Sequence, residues 1–159
     1  MIVVCHYGEV GLKGRNRKFF EERLVKNIKQ ALPEGSFKFI KRISGRILIG
    51  LRENVDIEKV SKGLLNVFGI VNFSFGISCE QDIEIIKQKS VELLKNRNFE
   101  MFKVSSARSN KSFSLNSQQI NEIIGAFILA SSSATCKVDL EKPDVVLYIE
   151  VVDNLALLF

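Results

Sequence analysis

In the first half of the chain, the spacing of the apolar residues switches between the pattern of a strand and that of a helix. Residues 2–6 form a short apolar run, which predicts a strand. After a glycine-rich loop, apolar residues recur every fourth position, as on the buried face of a helix: Phe20, Leu24, Ile28 and Leu32. Asn16 can cap this helix, and residues 33–35, which include Pro and Gly, end it.

The rest of the first half predicts a hairpin, a second helix and a further strand. Residues 37–41 and 46–51 flank a Ser-Gly turn, and Asp56 can cap the second helix. Residues 71–77 alternate strictly between apolar and polar positions, as a strand does. The resulting order, βαββαβ, predicts a ferredoxin-like domain over residues 1–78, with both helices on one face of an antiparallel sheet.

Residues 79–159 predict a second unit. Asp82 and Ser117 can each cap a helix with a regular apolar face, and residues 99–107 alternate like a strand between those helices. Residues 145–152 are nearly all apolar, which predicts a strand buried on both faces. The second unit is therefore predicted to be an α/β domain, and the whole chain an α+β protein.

Two segments of the second half are less regular. Residues 130–136 are rich in serine and predict a loose connection between elements. Residues 155–159 form an apolar strand that reaches the last residue without a polar tail. We therefore expect the sequence to be a fragment of a longer protein.

Positive charge is concentrated in the first half. Residues 1–78 contain fourteen Lys and Arg against seven Asp and Glu, whereas residues 79–159 contain nine against eleven. Eleven of the cations lie between Lys13 and Arg46, with only three acidic residues among them. Such a concentration favours a polyanionic partner, because each neutralised phosphate releases counterions. A solvated, lysine-rich helix face is the alternative interpretation.

The loop after the first strand combines this charge with glycine. Gly8, Gly11 and Gly14 lie in this loop together with cations, before the helix begins. Glycine lets a ligand approach the backbone closely, and the N–H groups at a helix start attract anions. The loop therefore favours contact with phosphate, and an ordinary strand-to-helix connection is the alternative.

Few residues are candidates for catalysis. The sequence contains no nucleotide-binding phosphate loop, no nucleophile elbow and no pair of His or Cys with metal-ligand spacing. His6 and Cys5 fall in the first strand, which predicts structural roles, and Cys79 and Cys136 lie in connections without an activating partner. We expect no catalytic residue and no metal site.

The three cysteines are widely spaced and form no disulfide pattern, which fits a reducing compartment. No apolar run is long enough to span a bilayer. These observations predict a cytoplasmic protein without a membrane partner.

Two parts of the sequence resemble a known family. Tyr7 to Arg17, followed by Phe19-Phe20-Glu21, resembles the opening of the tRNA 4-thiouridine synthases, the tRNA sulfurtransferases also linked to thiamine thiazole synthesis. Residues 102–113, the helix from Ser117 and residues 137–145 are similar to the THUMP domain of that family. The resemblance covers nearly the whole chain, although the serine-rich segment does not match the family pattern.

The resemblance implies that this chain is the tRNA-recognition part of such an enzyme. In that family a ferredoxin-like domain and a THUMP domain bind tRNA and present it to a C-terminal adenylating PP-loop domain, which carries a Ser-Gly-Gly-x-Asp-Ser loop. This sequence has no such loop and no rhodanese-like extension. The resemblance therefore implies no cofactor in this chain, and assigns ATP, a persulfide sulfur donor and a cysteine desulfurase partner to the complete enzyme. It is also compatible with a homodimer.

The cations beside the polar loops predict contacts with RNA phosphate or ribose, because RNA duplexes are recognised mainly by shape and backbone. The predicted RNA-binding residues of the first domain are Lys13, Arg15, Asn16, Arg17 and Lys18. Those of the second domain are Lys103, Arg108, Asn110 and Lys111. Phe19 and Phe113 can stack on unpaired bases, although aromatic residues at such spacings more often belong to the core.

Two other classes of function stay open at this point. Acylphosphatases share the ferredoxin-like order and place an arginine in the loop after the first strand, so a hydrolase of acyl phosphates is one alternative. A dimerisation or regulatory module is the other, since ferredoxin-like sheets often pair at their edges. The concentration of positive charge favours RNA over both.

Overall fold

The computed structural model describes residues 1–8, 16–131 and 136–159. The chain divides into two units, Met1–Phe75 and Gly76–Phe159, and each has its own hydrophobic core. Both units combine helices with a sheet, so the predicted α+β fold class is confirmed.

The first unit has the predicted order of elements. These are β1 (Ile2–Tyr7), α1 (Asn16–Ala31), β2 (Phe37–Ile43), β3 (Arg46–Leu51), α2 (Ile57–Leu65) and β4 (Ile70–Glu80). The strand order is β2-β3-β1-β4, and β3 is antiparallel to both β1 and β2. The predicted hairpin turns at Gly45, whose φ of 77° lies in the left-handed region that favours glycine.

Both helices of the first unit pack on the same face of its sheet. The buried helix residues are Leu24 and Ile28 from α1 and Val60 and Leu64 from α2. They form one hydrophobic cluster with alternate residues of β1 and β3. A Cβ at Gly63 of α2 would collide with the carbonyl oxygen of Ala31, at the end of α1. The two helices therefore approach closely, and this packing holds α1 with its opposite face in solvent.

The second unit contains the C-terminal part of β4 and six further elements. These are α3 (Ile83–Leu94), β5 (Met101–Arg108), α4 (Ser117–Ser131), β6 (Lys137–Val138), β7 (Val145–Val152) and β8 (Leu155–Leu158). The strand order is β4-β8-β7-β5-β6, in which β5 is parallel to β6 and β7, and β8 is antiparallel to β7 and β4. Buried residues of both helices and of β5, β7 and β8 form the core.

The start of each helix depends on how its first backbone N–H groups are satisfied. The Asp56 carboxylate accepts from the N–H groups of two residues in the first turn of α2, and Asp82 does the same for α3, so both predicted caps are confirmed. The predicted cap at Ser117 is wrong. Asn116 Oδ1 accepts from Gln119 N–H at 2.9 Å, while Asn116 N–H donates to Gln119 Oε1 at 2.9 Å. This reciprocal pair is a capping box, so α4 begins one residue earlier than predicted.

Three further elements differ from their predictions. Strand β7 is not buried on both faces, because α3 and α4 cover only one of them, and Tyr148 on the other is 47% exposed and stacks on Phe159. Helix α4 continues to Ser131, inside the predicted loose connection, of which residues 132–135 lie outside the described ranges. Strand β4 runs through the predicted domain boundary between residues 78 and 79.

Candidate nucleic-acid interface

The predicted RNA-binding residues of the first unit surround the start of α1. Lys13 and Arg15 lie outside the described residues. Asn16, Arg17 and Lys18 form the first turn of α1, and all three are exposed. Asn16 is the first residue of the helix rather than the cap before it, which corrects the prediction. The first turn of α1 therefore presents two cations at a helix end that itself attracts anions.

Arg17 belongs to a network that ties α1 to β1. Its Nε donates to Glu21 Oε1 at 2.9 Å, and the hydroxyl of Tyr7 donates to the same oxygen at 2.6 Å. Arg42 Nη1 lies 3.7 Å from the other carboxylate oxygen. Much of the charge of Arg17 is therefore balanced within the protein.

This network shifts the titration of its members. Burial of the Tyr7 hydroxyl and its hydrogen bond to Glu21 raise the pKa of Tyr7. Burial alone would raise the pKa of Glu21, but the hydrogen bonds from Tyr7 and Arg17 outweigh it and lower that pKa below 4.5. The hydrogen bond to Glu21 also raises the pKa of Arg17. All three shifts favour a network with a charged carboxylate and a protonated tyrosine near neutral pH.

The solvent face of α1 carries further cations that have no such partner. We call four exposed residues the basic face of α1: Lys18, Arg23, Lys26 and Lys29. None of the four makes a hydrogen bond or ion pair with any residue in the described part of the chain. All four belong to the basic tract noted in the sequence. Arg23, Lys26 and Lys29 were not among the predicted site residues. The helix period of the sequence could have identified these cations as exposed, because none of them falls at a position of the buried stripe.

In the second unit, Arg108 holds the loop that follows β5. Its Nη1 donates to the carbonyl oxygens of Phe113 at 2.7 Å and Leu115 at 3.2 Å. Both carbonyls lie in the connection to α4, where no regular backbone ladder satisfies them. Arg108 therefore has a structural role in this loop, and its contact with RNA stays a prediction.

Asn110 is a second structural member of the same loop. Its Nδ2 donates to Asp153 O at 2.7 Å and to Gln81 Oε1 at 2.9 Å, while its Oδ1 accepts from the backbone and hydroxyl of Ser112. Gln81 Nε2 in turn donates to the carbonyl oxygens of Asp153 at 3.0 Å and Leu155 at 3.1 Å. Sequence reasoning missed Gln81, because its partners are far away along the chain and no local pattern marks it.

The two predicted lysines of the second unit differ in whether their side chains already have a partner. Lys103 Nζ donates to the carbonyl oxygen of Leu140 at 3.1 Å. Lys111 is exposed and makes no hydrogen bond or ion pair with the residues that the structure describes. Of the four residues predicted here, Lys111 has the side chain most available to an external anion.

Cys5, Cys79 and His6 were considered as reactive groups in the sequence. Burial raises the pKa of Cys5 to about 12 and that of Cys79 to about 11, so both are thiols at neutral pH. His6 Nδ1 lies 2.8 Å from Asn72 Oδ1 on the neighbouring strand β4. Among residues 1–8, 16–131 and 136–159, no group of three or more His, Cys, Asp or Glu could hold a metal ion.

None of the helices in the described ranges is long and apolar enough to cross a membrane. The interface candidates lie on two domains, and each domain exposes cations, one on a helix face and one in a loop.

Both domains match known family models. Residues 2–74 match the ThiI ferredoxin-like domain, and residues 80–159 match the THUMP domain. These matches confirm the resemblance seen in the sequence and give no support to an acyl-phosphate hydrolase or to a dimerisation module.

Individual relatives agree with the family models. A protein of Natranaerobius thermophilus described as "Probable tRNA sulfurtransferase" is 37% identical over 157 residues, covering 94% of this chain and 38% of the relative. One of the same description from Thermotoga maritima is 36% identical, covering 99% of this chain and 40% of the relative. The crystal structure of a 4-thiouridine synthetase–RNA complex with bound ATP superposes with a TM-score of 0.81 at 37% identity, covering 99% of this chain and 40% of that one.

The chain thus spans about two fifths of the length of these relatives. Its fold, its two domain matches and the order in which they occur lead to one conclusion. The chain belongs to the THUMP-domain family and joins a ThiI ferredoxin-like domain to a THUMP domain, as the N-terminal portion of the tRNA sulfurtransferases does.

Proposed function

We propose that this chain is the tRNA-binding portion of a tRNA sulfurtransferase that makes 4-thiouridine. The observation that carries the proposal is the basic face of α1, whose four cations have no partner within the described residues. Exposed, unpaired cations are suited to an external polyanion because they pay no cost for breaking an existing ion pair. The similar 4-thiouridine synthetase was solved as an RNA complex, which supports RNA as the polyanion.

The chemistry of the two surfaces fits recognition of RNA by its backbone. An RNA duplex has a deep, narrow major groove that side chains cannot read, so proteins contact its phosphates and 2′-hydroxyls. Lysine and arginine on a rigid helix can follow a phosphate backbone, and Lys111 adds a cation on the second unit. This chain would therefore position a tRNA without selecting strongly for its sequence.

Two observations on the described residues support placing the ATP site and the sulfur carrier elsewhere in the parent enzyme. The three glycines with positive φ, at positions 35, 45 and 69, lie in turns that lead into strands and not at a helix N-terminus. Cys5 and Cys79 are held as thiols by burial, whereas a persulfide carrier needs a reactive, accessible cysteine. We assign ATP and the persulfide donor to another part of the parent enzyme. A PP-loop domain, a cysteine desulfurase, a homodimer and a cytoplasmic location stay predictions.

The proposal is tested by titrating the 159-residue chain with a tRNA transcript over a series of salt concentrations. The test variant replaces Arg23, Lys26 and Lys29 with Gln. Each lost phosphate contact lowers the salt slope by about 0.9, so three lower it by about 2–3 and reduce affinity at physiological salt on the order of a hundredfold.

A matched control variant replaces three different cations of the same unit, all of them lysines, with Gln. Lys38, Lys59 and Lys62 are exposed but lie 3.9, 3.5 and 2.9 Å from Glu53, Asp56 and Glu58. The control has the same net charge as the test variant and is expected to keep most of the affinity and the salt slope. Equal losses in both variants, or no binding by the unmodified chain, would contradict the proposed function.

A further inference from the structure

Phe19 is an exposed aromatic residue in the first turn of α1, at the N-terminal end of the basic face. Its side chain is 70% exposed, whereas Leu24 and Ile28 of the same helix are fully buried. Phe19 and Ile28 are nine positions apart, which at about 100° per residue places them on opposite sides of the helix. The fold therefore cannot bring Phe19 into the core of its own unit, and the expectation that it packs there does not hold.

The residues beside Phe19 identify the kind of partner that this ring would meet. Arg23 and Lys26 follow it at i+4 and i+7, so they share its stripe on the helix surface. Both are exposed and without a partner among the described residues. A ring beside unpaired cations suits a ligand that has flat apolar surfaces as well as negative charge.

Phe68 provides a contrast within the same unit. It is 88% exposed, but its neighbours Leu65 and Val71 are also exposed and apolar, and together they line an open depression of about 840 Å³. That surface lacks the cations that surround Phe19. Nothing in the structure identifies what covers it, and it serves here as the control position.

We propose that Phe19 stacks on an unpaired base of the bound RNA while Arg23 and Lys26 contact the flanking phosphates. The inference rests on the proposed tRNA-binding function and adds a specific substrate element to it, an unpaired nucleotide. Every base has an aromatic face, and stacking on a protein ring between cations is the usual way in which single-stranded nucleic acid is held without sequence preference. Only two rotatable side-chain bonds join the ring to the helix backbone, so the entropy lost when the base binds is small.

The experiment compares Phe19→Leu and Phe19→Tyr with the unmodified chain on two RNAs, a tRNA transcript and a blunt RNA duplex of similar length. Leucine keeps apolar surface but cannot stack, whereas tyrosine keeps the ring. For tRNA we expect Phe19→Leu to lose about tenfold in affinity with an unchanged salt slope, and Phe19→Tyr to bind like the unmodified chain. On the blunt duplex, which has no unpaired base, all three proteins should bind equally.

Two controls make the outcomes distinct. Phe68→Leu removes an even more exposed ring from the same unit and should leave both affinities unchanged. The thermal midpoint of Phe19→Leu should equal that of the unmodified chain, because the side chain lies in solvent.

If the unmodified chain binds tRNA and Phe19→Leu binds it equally well, stacking is wrong and the proposed function stands. If Phe19→Leu weakens the tRNA and the duplex alike, the ring does not recognise an unpaired base. If no protein binds tRNA, both proposals fail.

Discussion

The basic face of α1 and the polar loop after β5 look alike in sequence but use their cations differently. Both are basic segments of the sequence, the first with Lys18, Arg23, Lys26 and Lys29 and the second with Arg108 and Lys111. On α1, Arg23, Lys26 and Lys29 reach solvent and have no partner among residues 1–8, 16–131 and 136–159. In the loop, Arg108 and Asn110 donate to backbone carbonyls and to a neighbouring side chain.

The difference follows from the backbone beneath each surface. A helix satisfies its own N–H and C=O groups, so the side chains on its solvent face are left for other partners. A connection without regular structure leaves carbonyl groups that a nearby guanidinium or amide must satisfy. A basic segment is therefore a stronger indication of a binding surface when it lies on a helix than when it lies in a loop.

The largest effect on stability is expected from Arg108→Ala. It removes two charge-assisted hydrogen bonds to the carbonyls of Phe113 and Leu115, which should lower the free energy of unfolding by about 2–3 kcal/mol. Urea denaturation measures this difference. Arg97→Ala, at an exposed position of the same unit, is the control and should change stability by less than about 0.5 kcal/mol. Unchanged stability of Arg108→Ala would remove the contrast between loop and helix.

Gln81→Ala should have the next largest effect. The change leaves the carbonyls of Asp153 and Leu155 and the amide of Asn110 without this partner, which should cost about 1–2 kcal/mol. Gln88→Ala, on the exposed face of α3, is the matched control. A double-mutant cycle of Gln81→Ala with Asn110→Ala sharpens the result, because contact between the two predicts non-additive losses of at least about 0.5 kcal/mol.

Glu21→Gln tests a part of the α1 surface that makes contacts within the protein. The change removes the carboxylate that pairs with Arg17 and accepts a hydrogen bond from Tyr7. It should lower the free energy of unfolding at pH 7 by about 1 kcal/mol. The pKa of Glu21 is lowered in the folded protein, so its contribution is present above pH 4.5 and is lost as the pH falls through the folded pKa. Unfolding curves from pH 7 to pH 3 should therefore converge for the two proteins, and a difference that grows toward acid would contradict this sign.

Lys111→Gln is expected to have the smallest effect. One phosphate contact accounts for about threefold to fivefold in tRNA affinity at physiological salt, and for a fall of about 1 in the salt slope. Its stability should not change, because Lys111 has no partner in the described part of the chain. Lys95→Gln, an exposed lysine of the same unit, is the control. An equal loss from both variants would mean that net charge, and not this loop, contributes to binding.

Local sequence patterns were sufficient for most of the fold. The four-residue repeat of α1, the hairpin at Gly45 and the caps at Asp56 and Asp82 all depend on neighbours within a few positions, and each was predicted correctly. The cap of α4 was placed one residue late because Ser and Asn are both good caps, and only the reciprocal contact with Gln119 selects Asn116.

The candidate site was less predictable than the fold. The sequence by itself determined where charge is concentrated and which face of α1 is apolar, because both are properties of composition and helical period. Only the tertiary structure decided which polar side chains are already engaged. Gln81 meets Asn110 and the turn at Asp153 because β4 and β8 are paired in the sheet, a contact between positions far apart in the chain. Availability for a ligand depends on such long-range partners, which a local pattern does not encode.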